Sequence, residues 1–183
     1  MGNLKIVTVP NFQNKLFVGI KYGVDGKHVA MSIATKVDEK IFVESIDCQS
    51  VRNGNTWIIS FLKEADIEKV VIDGSGSQQI LSDEIKDYGI KLKPVLPKVS
   101  DVVVANNMFE QAVTSSKNIC HNDQPSLKQI VTNCKRRAIG TNGGFGFKAM
   151  MEEHEIALLD SVILAHWACA TYKGVKKKQK ISC

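Results

Sequence analysis

The sequence feature that most constrains the fold is a hairpin signal near the N-terminus. Two apolar segments, 16–24 and 27–35, flank the dipeptide Asp25-Gly26. Asp-Gly is favoured in two-residue hairpin turns because both turn residues need a positive φ. A second turn at 37–40 leads into a third apolar segment at 41–46. The chain is therefore predicted to open with three antiparallel strands.

After these strands, helical and strand-like patterns alternate. Helical spacing of apolar residues predicts helices over 55–65, 77–88, 100–116, 125–138 and 152–172. Short apolar runs predict strands over 69–72 and 90–95, and a glycine-rich loop spans 140–146. This order predicts an α/β fold with a mixed five-stranded sheet, in which three antiparallel strands precede α/β alternation and helices flank the sheet.

The predicted domain organisation is a single domain with tails. The domain is expected over 15–173, after an N-terminal lead-in over 1–14 that includes a short strand at 5–9. A basic tail follows over 174–183.

The positive charge of the chain lies at its C-terminal end. The formal net charge is +5, and the segment 173–180 carries five lysines and no acidic residue. Such a basic segment is typical either of a solvated terminus or of an arm that touches nucleic-acid phosphates. Under the second interpretation the candidate DNA contacts are Lys176, Lys177 and Lys178 in the tail, with Lys148 after the glycine-rich loop.

Several classes of protein are excluded by what the sequence lacks. The five cysteines show no C-x-x-C spacing, which argues against a disulfide framework and a structural zinc site. No apolar run is long enough to cross a membrane, and no secretory signal is present, so a cytoplasmic protein without a membrane partner is expected. No P-loop motif occurs, so no ATPase site is expected in this polypeptide.

Two aspartates are the strongest candidates for chemistry. Asp73 ends an apolar strand and precedes small residues, at the kind of strand terminus where ligands gather in α/β sheets. Asp160 lies within a strongly apolar helix, where an acid needs an exposed edge or a partner. The alternatives are that Asp73 starts a turn or caps a helix, and that Asp160 is an ordinary boundary residue. Glu44 in the third strand and Asp25 in the hairpin turn are further candidate metal ligands.

The order of several motifs resembles a known family. The segments VVIDG at 70–74, NMFEQA at 107–112 and IALLDSVILA at 156–165 are similar to motifs of the phage terminase large subunit, in its C-terminal nuclease domain. The resemblance implies a ribonuclease H-like fold. It also implies Mg²⁺- or Mn²⁺-dependent endonucleolytic cleavage of double-stranded DNA during phage genome packaging, with Asp73 and Asp160 as metal ligands. The first-strand aspartate of the family falls on Lys21 here.

The same resemblance implies a biological setting. The protein would be encoded by a phage or prophage and act in the bacterial cytoplasm. Its partners would be double-stranded DNA and, in the packaging machinery, a separate terminase ATPase domain, the small terminase subunit or the portal. Since the family's ATPase motor normally precedes this domain, a fragment, a split gene product or a prophage remnant is expected.

Three functional hypotheses remain open from the sequence. In the first, Asp73 and Asp160 act with Glu44 or Asp25 as a metal-dependent nuclease site. In the second, Lys21 neutralises the acids directly in place of a metal, and a catalytically impaired module binds DNA or a packaging partner. In the third, the chain is a prophage remnant that keeps its fold without activity.

Overall fold

The computed structural model describes residues 5–6, 14–151 and 155–174. The strands and helices, in chain order, are β1 (Lys5–Ile6), β2 (Leu16–Tyr22), β3 (His28–Val37), β4 (Lys40–Ser50), α1 (Thr56–Glu64), β5 (Ile67–Asp73), α2 (Ser77–Asp87), α3 (Val99–Gln111), β6 (Ile119–His121), α4 (Pro125–Thr132), β7 (Cys134–Ile139), β8 (Gly144–Ala149) and α5 (Ile156–Ala170). A 3-10 turn at Val51–Asn53 precedes α1, and a π-helical turn at Ala112–Ser116 extends α3.

The central sheet is mixed and has the strand order β1-β6-β4-β3-β2-β5. Strands β2, β3 and β4 pair antiparallel, as predicted. The predicted two-residue turn at Asp25-Gly26 is wrong: five residues join β2 to β3, and of these two residues only Gly26 has a positive φ, at +68°. Strands β5 and β6 add in parallel to β2 and β4, because helical segments carry the chain back to the same end of the sheet. The predicted mixed α/β sheet with flanking helices is confirmed, and β1 adds a two-residue sixth strand at the edge.

The sheet has two apolar faces that bury different helices. One face carries Phe17, Ala30 and Val43 and packs against α3, α4 and α5; it is called the α5 face below. The other face carries Ile20 and Ile33 and packs against α1 and α2; it is called the α1 face. Because neighbouring side chains of a strand point to opposite faces, one residue of register decides which face a side chain joins.

Helix α5 lies unusually close to β2. A Cβ atom added to Gly19 would lie 2.2 Å from the Ser161 carbonyl oxygen and 2.5 Å from the Ala165 nitrogen, so only glycine fits there. Beside this contact the hydroxyls of Ser32 and Ser161 form a buried hydrogen bond of 2.7 Å. Nearly all of α5 is buried, which explains why it is apolar around most of its circumference. These contacts fix the position along the strands at which α5 crosses the sheet.

The prediction of a strand over 90–95 is wrong. Only Val95 makes a bridge, to Val71, and the parallel strand beyond β4 is instead β6. Pro94 and Pro97 lack the N–H group that a strand ladder needs, which explains why pairing stops after one residue.

The region after α4 also differs from the prediction. The predicted helix over 125–138 ends at Thr132, and the chain continues as β7, which pairs with β8 in a separate two-stranded sheet. The glycine-rich segment is therefore a hairpin, with Gly140 and Gly143 in the positive-φ region at its turn. CKRRAI has no apolar stripe at helical spacing, whereas alternating strand faces accommodate its mixed polarity.

Other boundaries shift less. Helix α3 begins at Val99, one residue before the predicted start. Gly89 follows α2 at a φ of +71°, as expected of a residue just past a helix end. Part of the predicted strand over 5–9, the start of the predicted helix over 152–172 and the tail lysines Lys176, Lys177 and Lys178 lie outside the described residues. Within the described ranges, no helix has the length and apolar character needed to cross a bilayer.

Candidate functional site

Charged side chains from four elements meet at one small cavity on the α5 face. Strand β2 contributes Lys21, β5 contributes Asp73, α5 contributes Asp160 and the β7–β8 hairpin contributes Arg137. The remaining lining residues are Val102, Asn106, Ile139, Gly146, Ile163 and Leu164. The structure therefore brings together the two aspartates and the lysine that the sequence singled out.

Lys21 and Asp73 form an ion pair inside this cavity. They are directly paired in the parallel register of β2 and β5, so their side chains leave the same face of the sheet at neighbouring positions. The Lys21 ammonium contacts the Asp73 carboxylate, and the two side chains are only 11% and 19% exposed. Partial burial strengthens the attraction between opposite charges, and removing either partner would leave a poorly solvated charge.

The pKa of Asp160 is shifted by its position in the cavity. Burial raises its pKa to about 6, while the positive charges of Lys21 and Arg137 lower the pKa and the charge of Asp73 raises it. Arg137 is oriented by its own hairpin, since its Nε donates a 3.2 Å hydrogen bond to the Phe147 carbonyl. The Asp160 carboxyl can therefore gain or lose a proton near neutral pH.

Asn106 and Gly146 shape the wall of the cavity. The Asn106 side chain is buried and its Nδ2 donates to the Val102 carbonyl at 2.7 Å, while its Oδ1 has no hydrogen-bond partner among the described residues. A Cβ on Gly146 would lie 2.7 Å from the Ile139 side chain and 3.8 Å from Asn106. The hairpin thus approaches α3 closely enough to close one side of the cavity.

Arg137 and Asn106 belong to the site but are not among the residues that the sequence singles out. The predicted helix over 125–138 makes Arg137 a cation at a helix end, where it suits the helix dipole. Asn106 lies in an amphipathic helix, and nothing in the local sequence marks it as a site residue. Recognition of the 140–143 turn as a hairpin would place Arg137 on a strand face, but not against Asp160.

Two predicted metal ligands lie elsewhere. Glu44 pairs with Ile33 in the β3–β4 register and therefore belongs to the α1 face, opposite the cavity. Its Oε1 accepts a 2.9 Å hydrogen bond from Asn122 Nδ2. Asp25 lies in the hairpin turn, where its Oδ1 accepts a 3.0 Å hydrogen bond from the Lys27 backbone nitrogen. The expectation that either joins Asp73 and Asp160 is not met.

The cavity does not fit a two-ion metal site. Divalent magnesium and manganese ions favour several oxygen ligands, mostly carboxylates. The cavity offers two carboxylates, and two cationic groups share it. Because the Lys21 ammonium already contacts the Asp73 carboxylate, positive charges of the protein itself neutralise the ionised carboxylates.

The predicted DNA contact Lys148 lies on the exposed edge of this region. Lys148 and Lys135 are paired directly across the hairpin. This pair lies two residues along the strands from the pair formed by Arg137 and Gly146. Because alternate residues share a face, both lysines lie on the same hairpin face as Arg137. A row of three cations therefore leads from the cavity to solvent.

Comparison with solved structures identifies the fold. The crystal structure of the large terminase nuclease from thermophilic phage G20c superposes with a TM-score of 0.62, covering 94% of this chain and 95% of that chain at 12% identity. The chain has the fold of a terminase nuclease domain. The predicted ribonuclease H-like fold class is thereby confirmed.

Two further terminase structures agree. The nuclease domain from bacteriophage SPP1, solved with bound Mn, has a TM-score of 0.53 at 13% identity, covering 90% of this chain and 94% of that one. The HK97 bacteriophage large terminase has a TM-score of 0.63 at 12% identity, covering 88% of this chain but only 41% of that chain. No family model and no curated protein matches the sequence. At such low identities the likeness concerns the terminase nuclease fold.

Proposed function

We propose that this chain is a terminase-type nuclease-fold module that binds double-stranded DNA in phage genome packaging, with Lys21 in the place of a metal cation. The observation that carries the proposal is the ion pair between Lys21 and Asp73 within the cavity that also holds Asp160. Its fold supports the assignment to the packaging machinery.

The positive charges of Lys21 and Arg137 neutralise the carboxylates of Asp73 and Asp160 within the cavity. The ammonium of Lys21 holds the Asp73 carboxylate, and the nearby Arg137 guanidinium favours the ionised form of Asp160. A divalent ion would have to displace Lys21 from Asp73 and would meet repulsion from both cations. The charge balance therefore favours a closed, metal-free cavity.

The hairpin supplies the DNA-binding surface in this proposal. Lys135 and Lys148 are both exposed and lie directly opposite each other across the two strands. Like charges in that position repel, so a bridging anion would be favourable. A phosphate of the DNA backbone has the required charge, and lysine contacts to phosphate account for most sequence-independent DNA binding.

A second candidate function is metal-dependent cleavage of double-stranded DNA. The observation that favours it is that Asp73 and Asp160, from separate elements, line one cavity. The G20c nuclease and the SPP1 nuclease domain have been solved with bound magnesium and Mn respectively, which supports divalent-metal use in proteins of this fold. For this chain the mechanism would require Lys21 to leave Asp73 first.

Substitution of Lys21 separates the two candidates. Wild-type protein with Mn²⁺ is expected to leave supercoiled plasmid intact, whereas Lys21→Asp is expected to nick or linearise it, because a third carboxylate replaces the internal cation. Lys21→Met should stay inactive, since it removes the charge without adding a ligand. The measurement is plasmid cleavage on agarose gels, with folding of each variant checked by circular dichroism.

The controls assign any cleavage to this cavity. Asp73→Ala in the Lys21→Asp background should abolish cutting. Cleavage by wild-type protein that disappears in Asp73→Ala would overturn the first candidate and establish the second. A wild-type protein that neither cuts nor binds DNA would instead indicate a folded prophage remnant.

The proposed partners follow from the same assignment. The chain spans less than half of the length of the HK97 large terminase. We place its protein partners among a terminase ATPase domain, the small terminase subunit and the portal. The proposed location is the bacterial cytoplasm, where a phage or prophage product would meet DNA.

A further inference from the structure

A second group of metal-ligating side chains lies apart from the cavity. Asp25 belongs to the β2–β3 turn, His28 opens β3, and Glu155 immediately precedes α5. One ligand atom from each lies within 4.8 Å of the ligand atoms of the other two. None of these residues lines the cavity of Asp73 and Asp160.

The local backbone turns these groups toward one another. His28 Nδ1 lies 2.8 Å from Glu155 Oε1. The Asp25 carboxylate folds back over Gly23, where an added Cβ would lie 2.9 Å from Asp25 Oδ1. The missing side chain of Gly23 therefore leaves the space that Asp25 occupies.

The ligand types select a class of ion. One imidazole and two carboxylates suit zinc and neighbouring transition metals, whereas magnesium and calcium favour oxygen ligands alone. Ligand atoms about 2.0–2.2 Å from a tetrahedral ion lie about 3.4 Å apart. Small side-chain rotations would bring the three groups to that spacing.

The surroundings leave room for a fourth ligand. A solvent-open pocket lies against this group, lined by Val24, Met150, Met151 and Ile156 as well as Asp25 and Glu155. A competing cation is Lys27, whose Nζ is 3.9 Å from Asp25 Oδ2. Lys27 is exposed, so moving its ammonium into solvent costs little.

We propose that Asp25, His28 and Glu155 bind one divalent transition-metal ion of the zinc class. The ion joins the β2–β3 hairpin to the start of α5, two elements that are far apart in the sequence. Water takes the remaining position. This site is independent of the DNA-binding proposal and uses none of the cavity residues.

The test is a titration of the full chain with Co²⁺, a spectroscopic substitute for zinc, followed by displacement with Zn²⁺. Wild-type protein should bind one equivalent with the visible absorption of a tetrahedral cobalt site, and Zn²⁺ should abolish that absorption while Mg²⁺ should not. His28→Gln and Glu155→Gln should each weaken binding by more than about 100-fold, because each removes a ligand rather than only a supporting group.

Matched controls separate this site from others. Asp38→Asn changes a comparable turn aspartate, exposed in the β3–β4 turn, and should bind Co²⁺ like the wild type. Zn²⁺ should also raise the melting temperature of wild-type protein but not of His28→Gln. Absence of saturable Co²⁺ binding, or binding that survives His28→Gln, would overturn the proposal.

Discussion

Lys21 sets the charge of the cavity through a single side chain. Its register partner is Asp73, so the ammonium meets the carboxylate without rearrangement of the sheet. Asp160 then shares the remaining space with Arg137, and burial raises its pKa to about 6. An aspartate at position 21 would reverse this balance, which is why the Lys21→Asp variant is the decisive one for function.

His166 provides a residue-scale test of the packing of α5. Its side chain is almost fully buried and makes a T-shaped contact with the Phe109 ring, and burial lowers its pKa to about 4. The neutral form is therefore favoured in the folded state, while the unfolded chain gains a proton below about pH 6.5. Its contribution to stability is present above that pH and is lost as the pH falls toward 4.

The expected size of this effect follows from proton linkage. Between pH 7 and pH 5, wild-type protein should lose about 2 kcal/mol of unfolding free energy relative to His166→Gln, which cannot titrate. Urea denaturation of both proteins at the two pH values measures the difference. Any pH-independent cost of the substitution cancels, and so does the titration of Asp160. Parallel pH dependences of the two proteins would show that His166 is not held neutral.

At the scale of elements, the contact between α5 and β2 positions the acids. Gly19 allows the helix backbone to lie against the strand, and the hydrogen bond between Ser32 and Ser161 fixes the crossing point. Asp160 comes one residue before Ser161, so its distance from Asp73 depends on this contact. The β7–β8 hairpin then closes the cavity from the other side.

Gly19→Ala should disrupt this arrangement. The added methyl group would meet backbone atoms of α5 rather than a movable side chain, so we expect a loss of about 3 kcal/mol or more in unfolding free energy. Gly54→Ala is the matched control: it has open space around its Cβ and a φ of +72°, so its cost should be only about 1 kcal/mol. Thermal and urea unfolding measure both. Equal losses in the two variants would mean that α5 does not pack this closely.

At the scale of the whole molecule, a group of cations lies beside the cavity on the β7–β8 hairpin. The exposed lysines of the hairpin lie on the Arg137 face, next to the cavity. Lys86 is likewise exposed but lies on α2, which packs on the α1 face. A DNA duplex bound through phosphates should therefore use the hairpin side of the molecule.

A salt series tests this orientation. Replacing Lys135 and Lys148 by glutamine should weaken binding to double-stranded DNA and lower the slope of log affinity against log salt by about 0.9 for each phosphate that the protein no longer neutralises. Lys86→Gln should change neither quantity. Fluorescence anisotropy with a labelled duplex at several salt concentrations provides the measurement. An unchanged slope in the double variant would place the DNA on another surface.

Local patterns were sufficient for much of the fold. The Asp25-Gly26 signal predicted the first hairpin, and helical spacing predicted α1 and α2 within about two residues at each end. Such features depend on neighbouring residues, so periodicity and turn chemistry reveal them. The sequence also marked Asp73 and Asp160, because an acid at a strand end or within an apolar helix is unusual wherever the chain folds.

Only the tertiary structure decided which side chains meet. Glu44 was excluded from the cavity because its side chain lies on the opposite face, two strands from Lys21 and level with Val18. Arg137 joined the cavity because the segment after Thr132 extends into a hairpin instead of continuing a helix. Similarly, β6 rather than 90–95 completed the parallel pairing. These outcomes depend on contacts between residues distant in sequence, whose energies no local window contains. The physical reason is that side-chain direction is a local property, whereas proximity between elements is set by long-range packing.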